Sequence, residues 1–289
     1  MTQATNDLVR FMNKDKRLKE LETDIDRIIA SGCIRRGEAR SLRGRVQFAR
    51  CQTFGRCGAV AMKYLGYIAD GTKASPTLDR GTADALRWLL GMLKHSRPRE
   101  LQARPPPPVL LFVDGACDQT PDGIRVSIGA VLFDPLEPGS GPRYFGTLVG
   151  EPLVRQWSNN GDKEQLIGQA ELLPVLLAKS IWKDVFKNRP NITFIDNDSA
   201  RYGLIRGYSP VLDSSRIISE SWMFDAVLGT ASWFARVPTA SNIADAPSRL
   251  DFTALERMSG SKRYDVSVPS CWGQGDLWSA VASWLARDL

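Results

Sequence analysis

The chain has 289 residues, 43% hydrophobic and 24% charged, an ordinary globular composition that predicts a packed core in one large or two ordinary domains. Its net charge of +6 is uneven: residues 1–108 carry 21 Lys+Arg against 11 Asp+Glu (+10) and residues 109–289 carry 17 against 21 (−4), which points to a polyanion-gripping part beside a catalytic or scaffold part. Five cysteines without a CxxC pair, with one histidine, argue against a zinc site and a disulfide framework, and no apolar run reaches signal-peptide or membrane-spanning length, so a soluble, intracellular protein with no membrane partner is expected.

Residues 15–31 place Leu18, Leu21, Ile25, Ile28 and Ile29 at helical spacing, with Gly32 as a stop, and predict a first amphipathic helix. A second helical pattern runs from about Arg36 to Ala69, with Leu42, Val46 and Ala49 on one stripe. Gly44, Gly55 and Gly58 are candidate breaks, so it reads as one helix or two. Arg36, Arg40, Arg43 and Arg50 share one face of this pattern. A phosphate-tracking ridge and a solvated outer face both account for them. A third helix is predicted over residues 78–96, with the lone histidine, His95, at its C-terminal end. Pro105 to Pro108 cannot continue a helix and favour an extended spacer. That run divides a basic all-helical segment, 1–104, from the rest.

Beyond the prolines, residues 109–114, 125–134 and 143–150 read as three strands of an antiparallel meander. A helix over 162–187 carries Leu166, Ala170, Leu173, Leu177 and Ile181 as its core stripe, and Pro174 marks a kink or a later start. A short strand at 192–196, helical segments at 198–206 and 214–229, a fifth strand at 232–238 and a last helix opened by SNIADAPSR, with Ser241 as its N-cap, follow. This order predicts an α/β fold over 109–250, a mixed five-stranded sheet flanked by helices. Residues 251–289 form a C-terminal extension with Tyr264, Trp272, Trp278 and Trp284. Its amphipathic LWSAVASWLA is read as a terminal helix packing on the body or on a protein partner in preference to stacking on bases.

Four carboxylates stand out along these elements: Asp114 ending the first strand, Glu171 within the first helix after the meander, Asp196 ending the fourth strand and Asp245 in the last helix. Singly each has an ordinary explanation as a turn residue, a solvated helical side chain or a helix-start acid. Jointly, and in this order, they suit a two-metal phosphodiester-cleaving site, because Mg²⁺ ions about 3.5 to 4 Å apart require hard oxygen ligands. Asp198 competes with Asp196, but it looks like the N-cap of the next helix.

The motifs around these acids, taken together, resemble those of the ribonuclease H family: Asp114-Gly115-Ala116, Ser127-Ile128-Gly129-Ala130-Val131-Leu132, Ala170-Glu171-Leu172, Asp196-Asn197, and the run from Asn242 to Arg249, similar to the Asn-x-x-Ala-Asp-x-x-Ser-Arg of retroelement versions. Upstream, residues 42–56 and 85–100 look like the thumb and connection of reverse transcriptases of tyrosine-recombinase, DIRS-like retrotransposons. The resemblance spans roughly residues 35–250, and no Tyr-x-Asp-Asp polymerase signature occurs. It implies a retroelement-derived ribonuclease H-type enzyme without a polymerase core, using two Mg²⁺ ions, with Mn²⁺ as substitute, to cut the RNA strand of RNA–DNA hybrids. Asp114 would bridge the metals, Glu171 and Asp196 complete the first and Asp245 help hold the second; Arg36, Arg40, Arg43 and Arg50 would contact the hybrid or a structured RNA. The loop at 237–242 lacks the histidine that assists product release in some members, which suggests slower turnover. Two rival readings are a domesticated, non-catalytic binding or assembly subunit of a larger RNA–protein particle, and a DNA transposase or resolving nuclease of the same superfamily.

Overall fold

The computed structural model describes residues 2–4, 7–53, 55–56, 58–72, 76–121, 123–159 and 166–269. The first part builds β1 (Thr2–Ala4), β2 (Leu8–Phe11), α1 (Asp15–Ser31), α2 (Arg36–Arg50), α3 (Ala59–Asp70), α4 (Arg80–His95) and β3 (Arg99–Gln102). Leu21, Ile25 and Ile28 of α1, Leu42 and Val46 of α2, Leu65 of α3 and Leu86 and Leu89 of α4 close one core, so the helical periodicity became a bundle. The long second pattern is two helices. The break falls at Gly55 and Gly58, both at positive φ, while Gly44 lies inside α2. The side chain of Asp79 caps α4 by accepting from the Thr82 amide at 2.7 Å. The segment is not all-helical as expected: β1, β2 and β3 form a small antiparallel sheet. Arg10 in β2 reaches Glu100 in β3 at 2.8 Å, a pairing ninety residues apart that no local periodicity reports.

The second part runs β4 (Val109–Thr120), β5 (Gly123–Phe133), β6 (Arg143–Leu148), α5 (Glu151–Asn159), α6 (Ile167–Ile181), α7 (Lys183–Phe186), β7 (Pro190–Ile195), α8 (Asp198–Arg206), α9 (Leu212–Leu228), β8 (Ala231–Arg236), a single 3₁₀ turn at Thr239–Ser241, α10 (Asp245–Ser248), α11 (Thr253–Glu256) and β9 (Lys262–Arg263). β4, β5 and β6 form the antiparallel meander; β7 pairs parallel to β4 and β8 parallel to β7. The sheet order is β8-β7-β4-β5-β6-β9, a six-stranded mixed sheet flanked by helices. The sixth strand was not expected. Two residues are too short to show a pattern, and β9 is fixed by backbone bonds from Lys262 to Pro142 and from Tyr264 to Tyr144, each 2.8 Å. α5 also escaped the sequence pattern; it buries only Leu153, Val154 and Trp157. The predicted C-terminal helix, with Trp272, Trp278 and Trp284, lies outside the described residues.

α6 and α9 lie against one face, where Leu111, Val113, Ile128, Leu173, Leu177 and Met223 are buried together. Between the two helices Lys179 and Asp225, both fully buried, pair at 2.6 Å. On the opposite face Val131 and Tyr144 pack with Ala244, Phe252 and Leu255. The proline run is tied to this body: the Arg189 guanidinium donates to the Pro107 carbonyl at 3.1 Å and to both oxygens of Asp134 at 3.0 and 2.8 Å. The helical bundle abuts α9, with Arg97 donating its backbone N–H to Ala226 at 3.1 Å and its guanidinium to Asn188 at 2.7 Å.

Candidate metal centre

β4 continues well past Asp114, so this acid lies within the strand, opposite Gly129 of β5, instead of ending it. What does end there is the parallel pairing with β7, whose last register pair is Phe112–Phe194. Side chains alternate in a strand, so residues two further along share a face with that pair. Those residues are Asp114 and Asp196. The phenylalanine rings stack at 4.5 Å, and the two acids follow where the parallel pairing of β4 and β7 ends, the usual ligand-binding edge of such sheets.

Glu171 arrives on α6. Close approach of this helix depends on Gly115: a Cβ there would meet Ala170 backbone atoms at 2.4 and 2.5 Å. Pro174 has no N–H to return to the Ala170 carbonyl, the group lying over Gly115. Asp114, Glu171 and Asp196 each offer an oxygen, all within 4.8 Å of one another. Asp114 and Glu171 are each 4% exposed, and Asp196 is half-buried.

The last stretch closes the site from the opposite face. The expected long helix is instead the one-turn α10, which Asp245 opens and which stops before Leu250, at positive φ. Ser241 does not cap it; Ser241 ends the 3₁₀ turn, and Ala244 is the N-cap. α10 sits on a glycine trough formed by the register pair Gly129 and Gly146. A Cβ at Gly129 would lie 2.4 Å from the Ser248 nitrogen, and one at Gly146 would lie 2.2 Å from the Pro247 oxygen. Gly129→Ala is therefore expected to push α10 off the sheet, costing about 1–3 kcal/mol in urea unfolding and weakening Mg²⁺ affinity measured by titration calorimetry. Unchanged unfolding and metal affinity would contradict that placement.

From this seat Ser248 donates its hydroxyl to Asp114 Oδ2 at 2.5 Å, and the Asn242 amide donates to the Val113 carbonyl at 3.0 Å. Neither role was read from the sequence, although both residues belong to the Asn242–Arg249 motif. Asp245 stands outside the three-acid group, 39% exposed, with Arg249 at 3.3 Å. It is still close enough to raise the Asp114 pKa. Asp198 also lies outside the three-acid group. It is the first residue of α8, paired with Arg201 at 2.8 Å, and Asn197 is the N-cap in its place.

Burial pushes Glu171 up to about 9, with Asp114 and Asp196 adding repulsion. Burial also pushes Asp114 up to about 6, against the Ser248 hydrogen bond that opposes it. Glu171 Oε2 and Asp196 Oδ1 are buried without a hydrogen-bond partner among the described residues. Crowded carboxylates with orphaned hard oxygens fit a divalent cation. Cys117 is unsuited as a nucleophile: burial, Glu171 and Asp118 hold its thiol up near 11.

The four arginines of α2 do not line this centre. Arg36 donates to the Asp70 carbonyl at 3.0 Å, Arg40 to the Ala69 carbonyl at 3.1 Å, and Arg43 lies 3.8 Å from the Asp70 carboxylate, so three of them cap the C-terminus of α3. Arg50 ends α2, half-buried. His95 ends α4, away from the acids in sequence and element.

No family model and no curated protein matches the chain. Among solved structures it is similar to ribonuclease H1 from the halophilic archaeon Halobacterium salinarum NRC-1, at 20% identity and a TM-score of 0.37, covering 50% of this chain and 96% of that one. No described helix is long and apolar enough to cross a membrane.

Proposed function

We propose that the chain is a divalent-metal-dependent endonuclease that cuts the RNA strand of RNA–DNA hybrids, derived from a DIRS-like retroelement. The observation that carries this is the convergence of Asp114, Glu171 and Asp196 within 4.8 Å where the β4–β7 pairing ends. These three would hold the cations, Mg²⁺ or in its place Mn²⁺, with Asp245 helping to hold a second. Bound metal supplies an activated water and stabilises the departing 3′ oxygen. Ser248 orients Asp114, and Asn242 satisfies the carbonyl at the free edge of β4. Arg249 places positive charge at the mouth of the acidic site, beside Asp245. The exposed Arg36, Arg40 and Arg43 keep N–H donors beyond those that cap α3 and, with Arg50, supply a remote grip on the nucleic acid.

One observation favours the second reading, a non-catalytic subunit of an RNA–protein particle: Asp245 is engaged by Arg249 and stands apart from the other three acids. A single assay separates the two. Purified protein with Mg²⁺ is expected to cut the RNA strand of an end-labelled hybrid and to spare its DNA strand. No cleavage with either Mg²⁺ or Mn²⁺ would leave only the binding role, and preferential cutting of duplex DNA would move the protein to the transposase or resolvase class.

A further inference from the structure

α8 starts two residues after Asp196 and leads from the carboxylates to the helical bundle. Its nine residues span roughly 14 Å, about four nucleotide steps at about 3.4 Å each. Along this route cations rest on tyrosine rings. The Arg201 guanidinium lies 4.5 Å from the Tyr202 ring centre and Arg206 lies 5.7 Å from it. Beyond the helix, Lys63 of α3 lies 5.8 Å from the Tyr208 ring and 5.0 Å from that of Tyr67. The Tyr67 and Tyr208 side chains are hydrogen-bonded to each other.

The two helices are locked into one surface. Arg56 donates to the Ile205 carbonyl at 3.1 Å, and Gly207, at positive φ, admits Arg56 and Ala59, whose side chains a Cβ there would meet at 2.6 and 2.9 Å. Lys63 and Arg206 are exposed and have no carboxylate partner among the described residues; Arg201 is the one shared with Asp198. Tyr202 is 46% exposed. Cations without a carboxylate partner among the described residues, braced on aromatic faces beside the helix that starts two residues after Asp196, match a phosphate backbone.

We infer that the α3–α8 seam, through Lys63, Tyr202 and Arg206, is a second nucleic-acid contact that holds the phosphate backbone of the substrate a few nucleotides from the carboxylates. The assignment rests on the nuclease reading for its direction from the centre, and it differs from the α2 ridge, whose arginines mainly serve α3.

The test measures fluorescence anisotropy of a fluorescein-labelled RNA–DNA hybrid bound to the Asp114→Asn chain, across a KCl series. Adding Lys63→Glu and Arg206→Glu is expected to weaken binding at least about tenfold at low salt and to lower the salt slope by about two, one per phosphate contact. The charge-matched pair Lys16→Glu and Lys19→Glu on α1 is expected to change affinity far less. Tyr202→Phe should keep binding and Tyr202→Ala should weaken it, which separates a ring platform from bulk charge, and circular dichroism melting verifies that each variant folds. Equal losses from the two Glu pairs, or competition by polyglutamate as effective as by hybrid, would overturn the seam. Unchanged affinity in Lys63→Glu/Arg206→Glu overturns the seam alone, whereas failure of the Asp114→Asn chain to bind any hybrid removes the nuclease reading with it.

Discussion

On the proposed nuclease reading, Asp114→Asn is expected to abolish hybrid cleavage while the protein stays folded. Asparagine keeps the shape of the side chain and one carbonyl oxygen to accept from Ser248, so the contact between β4 and α10 persists. It removes the charge, and Asp114 is the acid that both Glu171 and the α10 stretch face. If Asp114 holds metal as proposed, losing its carboxylate would forfeit several kcal/mol of charge stabilisation in the transition state, and each 1.36 kcal/mol is tenfold, so the rate should fall by about a thousandfold or more. The same change relieves repulsion on buried Glu171, so the melting temperature without metal should hold or rise. Single-turnover cleavage beside thermal melting reads both. Wild-type cleavage by the variant would remove Asp114, and with it the proposed chemistry, from this site.

The helical elements were legible because burial stamps its period on sequence: Leu21, Ile25 and Ile28 are the buried face of α1, and Leu173 and Leu177 lie inward on α6. The meander and the parallel return strand were legible for the same reason, in runs such as Val109–Val113 and Ile192–Ile195. Hidden features depended on partners far along the chain. β2 finds β3 some ninety residues away, β9 has two residues, and neither carries a periodic signal. The acids were readable as a set because their motifs recur in order, but their exact settings were not. Asp114 looked like a strand end because Gly115 follows it; in the fold that glycine admits α6 while the strand continues. Ser241 and Asp198 looked like caps from residue type alone, but Ala244, three residues on from Ser241, and Asn197, one before Asp198, occupy those positions. The α2 arginines show the same limit, since helical spacing gives a shared face without naming what it meets.

Glu171→Gln should make the metal-free protein more stable and at the same time inactive. Glu171 titrates near 4.5 as an unperturbed side chain and near 9 in the fold, and Asp114 moves from 3.8 to about 6. Between those limits the native state binds protons that the unfolded chain has released. The contribution of each group is therefore fully present below the unfolded value and is lost as pH rises through the folded one. For Glu171 the window runs from about 4.5 to 9, and at pH 7 the penalty is on the order of 3 kcal/mol. Glutamine is neutral throughout, and it brings amide N–H donors to within reach of the neighbouring acids. In EDTA the melting temperatures of wild type and variant should therefore nearly coincide at pH 5 and separate in favour of the variant by several degrees at pH 8. On the proposed metal reading, added Mg²⁺ is expected to reverse the order, because a cation bound only to the folded state would stabilise the wild type by mass action and find one charge fewer in the variant. A melting difference independent of pH would show that Glu171 is not a strained buried acid, and an equal Mg²⁺ shift in both proteins would show that the ion binds elsewhere.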